Sequence, residues 1–460
     1  MSARETAWIS EWNPEDTAFW EAKGKAIARR NLIWSILAEH VGFSVWLIWS
    51  IVATKLPQAG FNYTTDQLFQ LVALPGLIGS LMRFPYTFAV PKFGGRNWTV
   101  VSATMLLIPT LALAYFVTHP ETPYWVMLVV AASAGLGGGN FASSMANISF
   151  FYPDRMKGWA LGMNAAGGNI GVSVVQLLTP ILIAAGWLSL YLGAPQGTTG
   201  IYLQNAGLMW LPLIALAIWG AYRRMNNLST ARSTFRDQVI ITRRKHTWVM
   251  SWLYIGTFGS FIGYSAAFPL LIKTQFPGVT IGIAFLGPLV GSVVRPLGGM
   301  LADKIGGARV TFWNFVAMGA ATVGAMHYLE AKSFPDFLVM FLVLFVTTGI
   351  GNGSTFRMIP SIFREAKLRE AKGEAGKAAA LKSAATESAA VIGFTSAVGA
   401  CGGYLIPRGF GASIAATGGP YAALEVFLGF YASCIALTWW YYLRKSFLAR
   451  QAPSLAAARV

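Results

Sequence analysis

Charge is what this 460-residue sequence has least of. Only 12% of its residues are Asp, Glu, Lys or Arg, about half the 25% usual in a soluble domain. Acids are scarcer than bases, 18 against 35. The two cysteines, Cys401 and Cys434, both fall in apolar runs, which argues against a disulfide framework. The four histidines (His40, His119, His246, His327) are scattered, with no metal-ligand spacing, and no paired carboxylates stand near them. No catalytic residues, metal site or cofactor are therefore expected, and an enzyme embedded in the membrane is a poor reading.

What fills the space left by charge is apolar. Hydrophobic residues make up 55% of the chain and mean hydropathy is +0.52. Apolar runs of roughly 20 residues recur from Leu32 to Tyr442, each long enough to cross a bilayer core. This predicts an all-α, multi-pass membrane protein whose first partner is the lipid bilayer. The first run follows a polar stretch over 1–31 and is not followed by a small-residue cleavage site, so no secretory signal peptide is expected. The net charge of +17 is topological. Basic residues gather in alternate loops, among them Lys92 and Arg96, Arg223 to Lys245, and Arg364 to Lys382. By the positive-inside rule both termini are cytoplasmic, in the cytoplasmic (inner) membrane, and the charge implies no nucleic acid.

Spans are expected near 32–53, 68–90, 99–117, 123–150, 159–186, 207–225, 247–272, 280–302, 308–328, 335–360, 383–407 and 421–443. Twelve transmembrane helices then divide into two six-helix halves. The expected organisation is an N-terminal arm over 1–31, a first half over 32–225 and a linker over 226–246. A second half over 247–443 and a tail over 444–460 complete it. Trp8, Trp12, Phe19 and Trp20 of the arm are suited to a membrane surface.

The halves repeat. Arg83 and Arg295 differ by 295 − 83 = 212, and so do Gly94-Gly95 and Gly306-Gly307. Gly137-Gly138-Gly139-Asn140 and Gly349-Ile350-Gly351-Asn352 read at 349 − 137 = 212, as do Phe151 and Phe363. Parallel six-helix repeats are a transporter plan with substrate between the halves near the midplane. At 1.5 Å per residue each arginine lies about 16 Å from its glycine turn, close to the middle of a core about 30 Å thick.

Each arginine stands alone in a long apolar segment, where a charge is costly and usually functional. A guanidinium offers a planar fork of donors matched to planar oxyanions. The alternative is structural pairing with a buried acid, for which Glu39 and Glu387 are the candidates. The glycines of Gly135 to Gly139 and Gly158 to Gly171 lie inside apolar spans, which favours close helix packing over a phosphate loop. Asn169 either reaches a substrate or bonds to a neighbouring helix. Glu39-His40, about 13 Å beyond Arg30, could relay protons, neutralise an arginine or simply pack.

Several stretches closely resemble the nitrate/nitrite porter family of the major facilitator superfamily. They are Trp12-Asn13-Pro14-Glu15-Asp16, Asn140 to Phe151, Gly167-Gly168-Asn169-Ile170-Gly171-Val172-Ser173 and Gly393 to Gly403. The loops at Lys92 to Arg96 and Asp303 to Arg309 resemble the superfamily's cytoplasmic loop motif; the first copy lacks the acid. The resemblance implies the major facilitator fold and substrate binding at Arg83 and Arg295. It also implies that Phe141, Tyr254 and Phe258 line the site, with Phe43 a weaker match. The glycines of spans five and eleven would gate: Gly158, Gly162, Gly167, Gly168, Gly171, Gly399, Gly402 and Gly403. Ala165, Ala166 and Arg357 depart from the family pattern.

The function this implies is alternating-access exchange of nitrate and nitrite by a monomer, placing the chain in nitrogen metabolism as a nitrate-assimilation carrier. The alternative is proton-coupled nitrate symport, with Glu39 and His40 as the coupling candidates.

Overall fold

Among the described residues, eleven helices are long and apolar enough to cross a membrane. The computed structural model of the chain describes residues 8–184, 186, 193–197, 200–231, 240–371, 373–445, 454, 455 and 460. Residues 1–7 of the arm, 232–239 of the linker, and 446–453 and 456–459 of the tail lie outside that set.

In chain order the helices are α1 (Thr17–Ala59), α2 (Thr65–Phe93), α3 (Gly95–Phe116), α4 (Tyr124–Phe151), α5 (Asp154–Ile183) and α6 (Asn205–Arg224). There follow α7 (Lys245–Gln275) and α8 (Ile281–Ile305), α9 (Gly307–Glu330), then α10 (Phe334–Arg369), α11 (Ala379–Thr417) and α12 (Tyr421–Leu443). Helix α9 answers to the span expected at 308–328 and, at 24 residues, is long enough. It is not among the eleven, because Asn314 and His327 dilute its apolar run.

The chain forms two compact units. Unit 1 holds Met1–Arg232, Ile262–Leu289 and Gly403–Pro420; unit 2 holds Ser233–Phe261, Val290–Gly402 and Tyr421–Val460. Helices α7, α8 and α11 therefore each contribute residues to both. In α7 the change follows a π-helical stretch, Ile255–Gly259, and in α11 the helix breaks at Cys401.

The loops before α3 and α9 explain their paired glycines. Gly94 and Gly306 take φ of +85° and +94°, a left-handed backbone open to glycine at little cost. The next glycine of each pair packs on a helix. A Cβ at Gly95 would stand 2.8 Å from Asn147 Nδ2 of α4, and one at Gly307 would stand 2.5 Å from Met358 Cγ of α10.

These contacts correct one reading of the repeat. Gly138 packs on Gly79, and Gly349 on Gly291; Gly139 packs on Tyr86, and Ile350 on Gly298. The α2 and α8 partners keep the shift, 291 − 79 = 298 − 86 = 212, but 349 − 138, 350 − 139 and 358 − 147 all equal 211. The α10 side is one residue short, and the likeness of the two Gly-x-Gly-Asn stretches hid the slip.

The arm differs from its expectation as well. Its strand Trp8–Ile9 pairs in parallel with Asn227–Leu228. The Trp12 indole donates to the Phe150 carbonyl at 3.1 Å, and the Glu15 carboxylate accepts from the Asp154 amide at 2.7 Å. Trp20 is 1% exposed, edge-on to Tyr152 at 5.6 Å. Trp20 thus packs on protein rather than on a membrane surface, because the helix already starts at Thr17, capped by Asp16.

Candidate functional site

In unit 1 the site grows from Arg83, fully buried on α2. Its Nε donates to the Gly138 carbonyl of α4 at 3.1 Å. The guanidinium carbon stands 4.5 Å from the centre of the Phe141 ring and 5.4 Å from that of Trp46. Phe43 completes the cage, 5.2 Å from Trp46 and 6.0 Å from Phe141. Three expected residues thus come together, with Trp46 added. The Trp46 indole donates to the Pro75 carbonyl at 2.7 Å, which fixes the ring. Gly138 leaves it room, since a Cβ there would stand 2.7 Å from Trp46 Cε2.

In unit 2 the site grows from Arg295 on α8, 5% exposed. Its Nη2 donates to the Tyr254 hydroxyl at 3.4 Å, and its guanidinium carbon stands 5.5 Å from the Phe356 ring centre. Tyr254 stacks on Phe258 at 5.3 Å and 12° and meets Phe356 at 5.2 Å. Phe258 lies within the π-helical stretch and Tyr254 immediately before it; such bulges are frequent at functional sites. Gly399 touches this cluster, because a Cβ there would stand 2.5 Å from Tyr254 Cδ1. Trp46 and Phe356 escaped the sequence reading because 14% of the residues are aromatic, and neither has a spacing that sets it apart.

The other singled-out residues divide. Asn169 is fully buried on α5, and neither amide atom has a hydrogen-bond partner among the described residues. The plain interhelical bond is therefore not what holds it. Glu39 is also fully buried and accepts from Asn164 Nδ2 at 2.6 Å; that amide also reaches Ser144 Oγ at 2.5 Å. His40 Nδ1 lies 3.1 Å from the Gly167 carbonyl. Glu387 is engaged by Arg244 at 3.2 Å and Lys367 at 2.6 Å. Arg357, the departure from the family pattern, forms an ion pair with Asp303 of the second loop motif.

The glycines expected to gate are of two kinds. Gly167, Gly168 and Gly171 press on Ile36, Glu39 and the His40 carbonyl, and Gly402 and Gly403 on Gly259 and Ile262. Around Gly158 and Gly162 a Cβ would meet nothing within 4 Å. Among the described residues no group of His, Cys, Asp and Glu could hold a metal ion.

Each of the two units thus holds one arginine, buried among rings on a helix apolar enough to cross a membrane. Residues 40–394 match the Major Facilitator Superfamily. The nitrate/nitrite transporter NarU of Salmonella typhimurium (strain LT2) is 46% identical, over 95% of this chain and 96% of its own. The chain belongs to the nitrate/nitrite porter family of the Major Facilitator Superfamily. The probable nitrate/nitrite antiporter NarK2 of Thermus thermophilus is 39% identical, over 97% of this chain and 98% of its own. Among solved structures, a bacterial homolog of the human lysosomal transporter Spinster, inward-facing and occupied, superposes with a TM-score of 0.60 at 14% identity. It covers 89% of this chain and 95% of its own, and it supports the all-helical fold. This porter is thus a multi-pass membrane protein of transporter type.

Proposed function

We propose that this porter exchanges nitrate and nitrite across the cytoplasmic membrane by alternating access, with the anion held by Arg83 and Arg295. One observation carries the reading: each arginine is at most 5% exposed on a helix apolar enough to span, where a charge is expensive unless function keeps it. The aromatic surroundings suit a flat monoanion, which ring edges with their positive partial charge can flank. Sulfate, doubly charged and tetrahedral, is rejected. The fold reading that goes with it is twelve spans, α9 included, in two six-helix halves. Both termini are cytoplasmic, and the monomer is the working form. Glycines of α5 and α11 yield as the halves move. Asn169 is a further contact to the anion.

Exchange follows from charge. Two cations that share one anion repel when it is absent, so the empty carrier closes reluctantly, and a ligand shifts that equilibrium by its differential affinity for the two states. Proton symport is the second reading, favoured by the buried Glu39 in its amide and hydroxyl network. The test is uptake of labelled nitrate into liposomes, with nitrite inside or with no internal anion substrate. Exchange predicts uptake only against internal nitrite, unchanged by a proton gradient. Proton-driven net entry that disappears in Glu39→Gln would establish symport instead.

A further inference from the structure

Asn352 of α10 is fully buried, and neither its Nδ2 nor its Oδ1 has a hydrogen-bond partner among the described residues. A buried amide left unpaired costs free energy, so a neutral apolar residue would serve a purely structural role better. Its direction follows from its neighbours. Gly349 and Gly353 press on the α8 backbone, at Gly291 and at Arg295 to Gly299. Gly351 presses on Thr257 of α7, and Thr355 Oγ1 lies 3.3 Å from Thr257 Oγ1.

Steps of about 100° per residue, counted from Gly349 at 0°, put Gly353 at about 40°, Gly351 at about 200° and Thr355 at about 240°. Asn352 falls at about 300°, midway between the α7 and α8 sides, and Phe356 one turn on at about 340°. The Phe356 ring is the one that faces Arg295 at 5.5 Å and Tyr254 at 5.2 Å. The corrected repeat points the same way. At a shift of 352 − 141 = 211, Asn352 is the counterpart of Phe141, whose ring stands 4.5 Å from the Arg83 guanidinium.

We infer that Asn352 is a substrate-binding residue on the Arg295 side, its Nδ2 donating to an oxygen of the anion. This rests on the arginine reading above. Arg295 and Tyr254 supply charge and a hydroxyl; the Asn352 amide supplies a neutral donor that favours an anion and gains its missing partner only when one is bound. Where the first half presents a ring, the second presents a donor, so the anion is held asymmetrically.

The test compares Asn352→Leu, Asn352→Asp and Arg295→Lys in the detergent-solubilised full chain, reading thermal unfolding and nitrate affinity together. N352L should unfold at or above the wild-type temperature without nitrate, since the unpaired amide is gone. Its nitrate affinity should fall about tenfold or more, the scale of a hydrogen bond to a charged group. N352D, nearly the same shape, should lose nitrate binding altogether by repulsion. N352L that is less stable than wild type with unchanged affinity would overturn the inference, as would N352D binding nitrate normally. Arg295→Lys separates the two ideas. Lost affinity there with full affinity in N352L defeats the role of Asn352 alone, whereas full affinity in R295K defeats the arginine reading beneath it.

Discussion

The two units of this porter carry the same charge in different company. Arg83 is caged by the rings of Phe141 and Trp46 and by one backbone carbonyl. Arg295 meets a phenol hydroxyl and the ring of Phe356, with the amide of Asn352 one turn away. The loops after α2 and α8 differ too. The second has the ion pair of Asp303 with Arg357. The residues of the first half at the corresponding shifts, 303 − 212 = 91 and 357 − 211 = 146, are Pro91 and Ala146. The guanidinium is common to both units, and its surroundings are not.

The largest effect should be common to both halves. Arg83→Lys and Arg295→Lys keep the charge but lose the planar fork, so each should lower nitrate transport in liposomes by about a hundredfold or more, as two lost charge-assisted bonds allow. One variant transporting near the wild-type rate would make the halves functionally unequal.

Next come the glycines that leave room for the rings. Gly138→Ala would bring a Cβ to 2.7 Å from Trp46 Cε2 and 2.8 Å from the Gly79 Cα; Gly399→Ala would bring one to 2.5 Å from Tyr254 Cδ1. Overpacking of this kind costs about 1–3 kcal/mol, to be read as a lowered unfolding temperature. Gly158→Ala, with open space around it, should instead leave stability unchanged or raise it by up to about 1 kcal/mol. A transport loss in Gly158→Ala without a stability loss would assign that glycine to movement rather than packing.

A smaller effect should separate the halves. Tyr254→Phe removes the hydroxyl that accepts from Arg295 at 3.4 Å and keeps the ring that stacks on Phe258. A hydrogen bond worth about 1 kcal/mol predicts roughly a fivefold loss of nitrate affinity. No loss would mean that Arg295 needs only its rings. Smallest is Asp303→Asn. The pair with Arg357 is about half exposed on both sides, and such pairs contribute about 0–1 kcal/mol. Thermal unfolding should therefore shift little, and a large shift would make this pair a fastening of unit 2.

Much of this was legible in the sequence. Spans, the repeat, both arginines and the glycine turns follow from hydropathy and spacing, because lipid punishes charge and a left-handed turn selects glycine. Phe141, Tyr254 and Phe258 came only through resemblance to the family. Phe356 and Trp46 were invisible, since ring residues are abundant and only packing tells a site ring from a lipid-facing one. The one-residue slip between α4 and α10 set Asn352 against Asn140 instead of Phe141. Two similar glycine stretches align best at the wrong register, and only helix contacts reveal it. The packed arm was missed because a tryptophan near a first span suits membrane or protein equally well.

The central claim is that both arginines serve one anion. Equilibrium binding of labelled nitrate to the purified full chain tests it most directly, counted per chain in the wild type, Arg83→Lys and Arg295→Lys. One nitrate bound per wild-type chain and none in either variant is the result predicted. Two nitrates per chain, with one surviving in each single variant, would show two independent half-sites and contradict it.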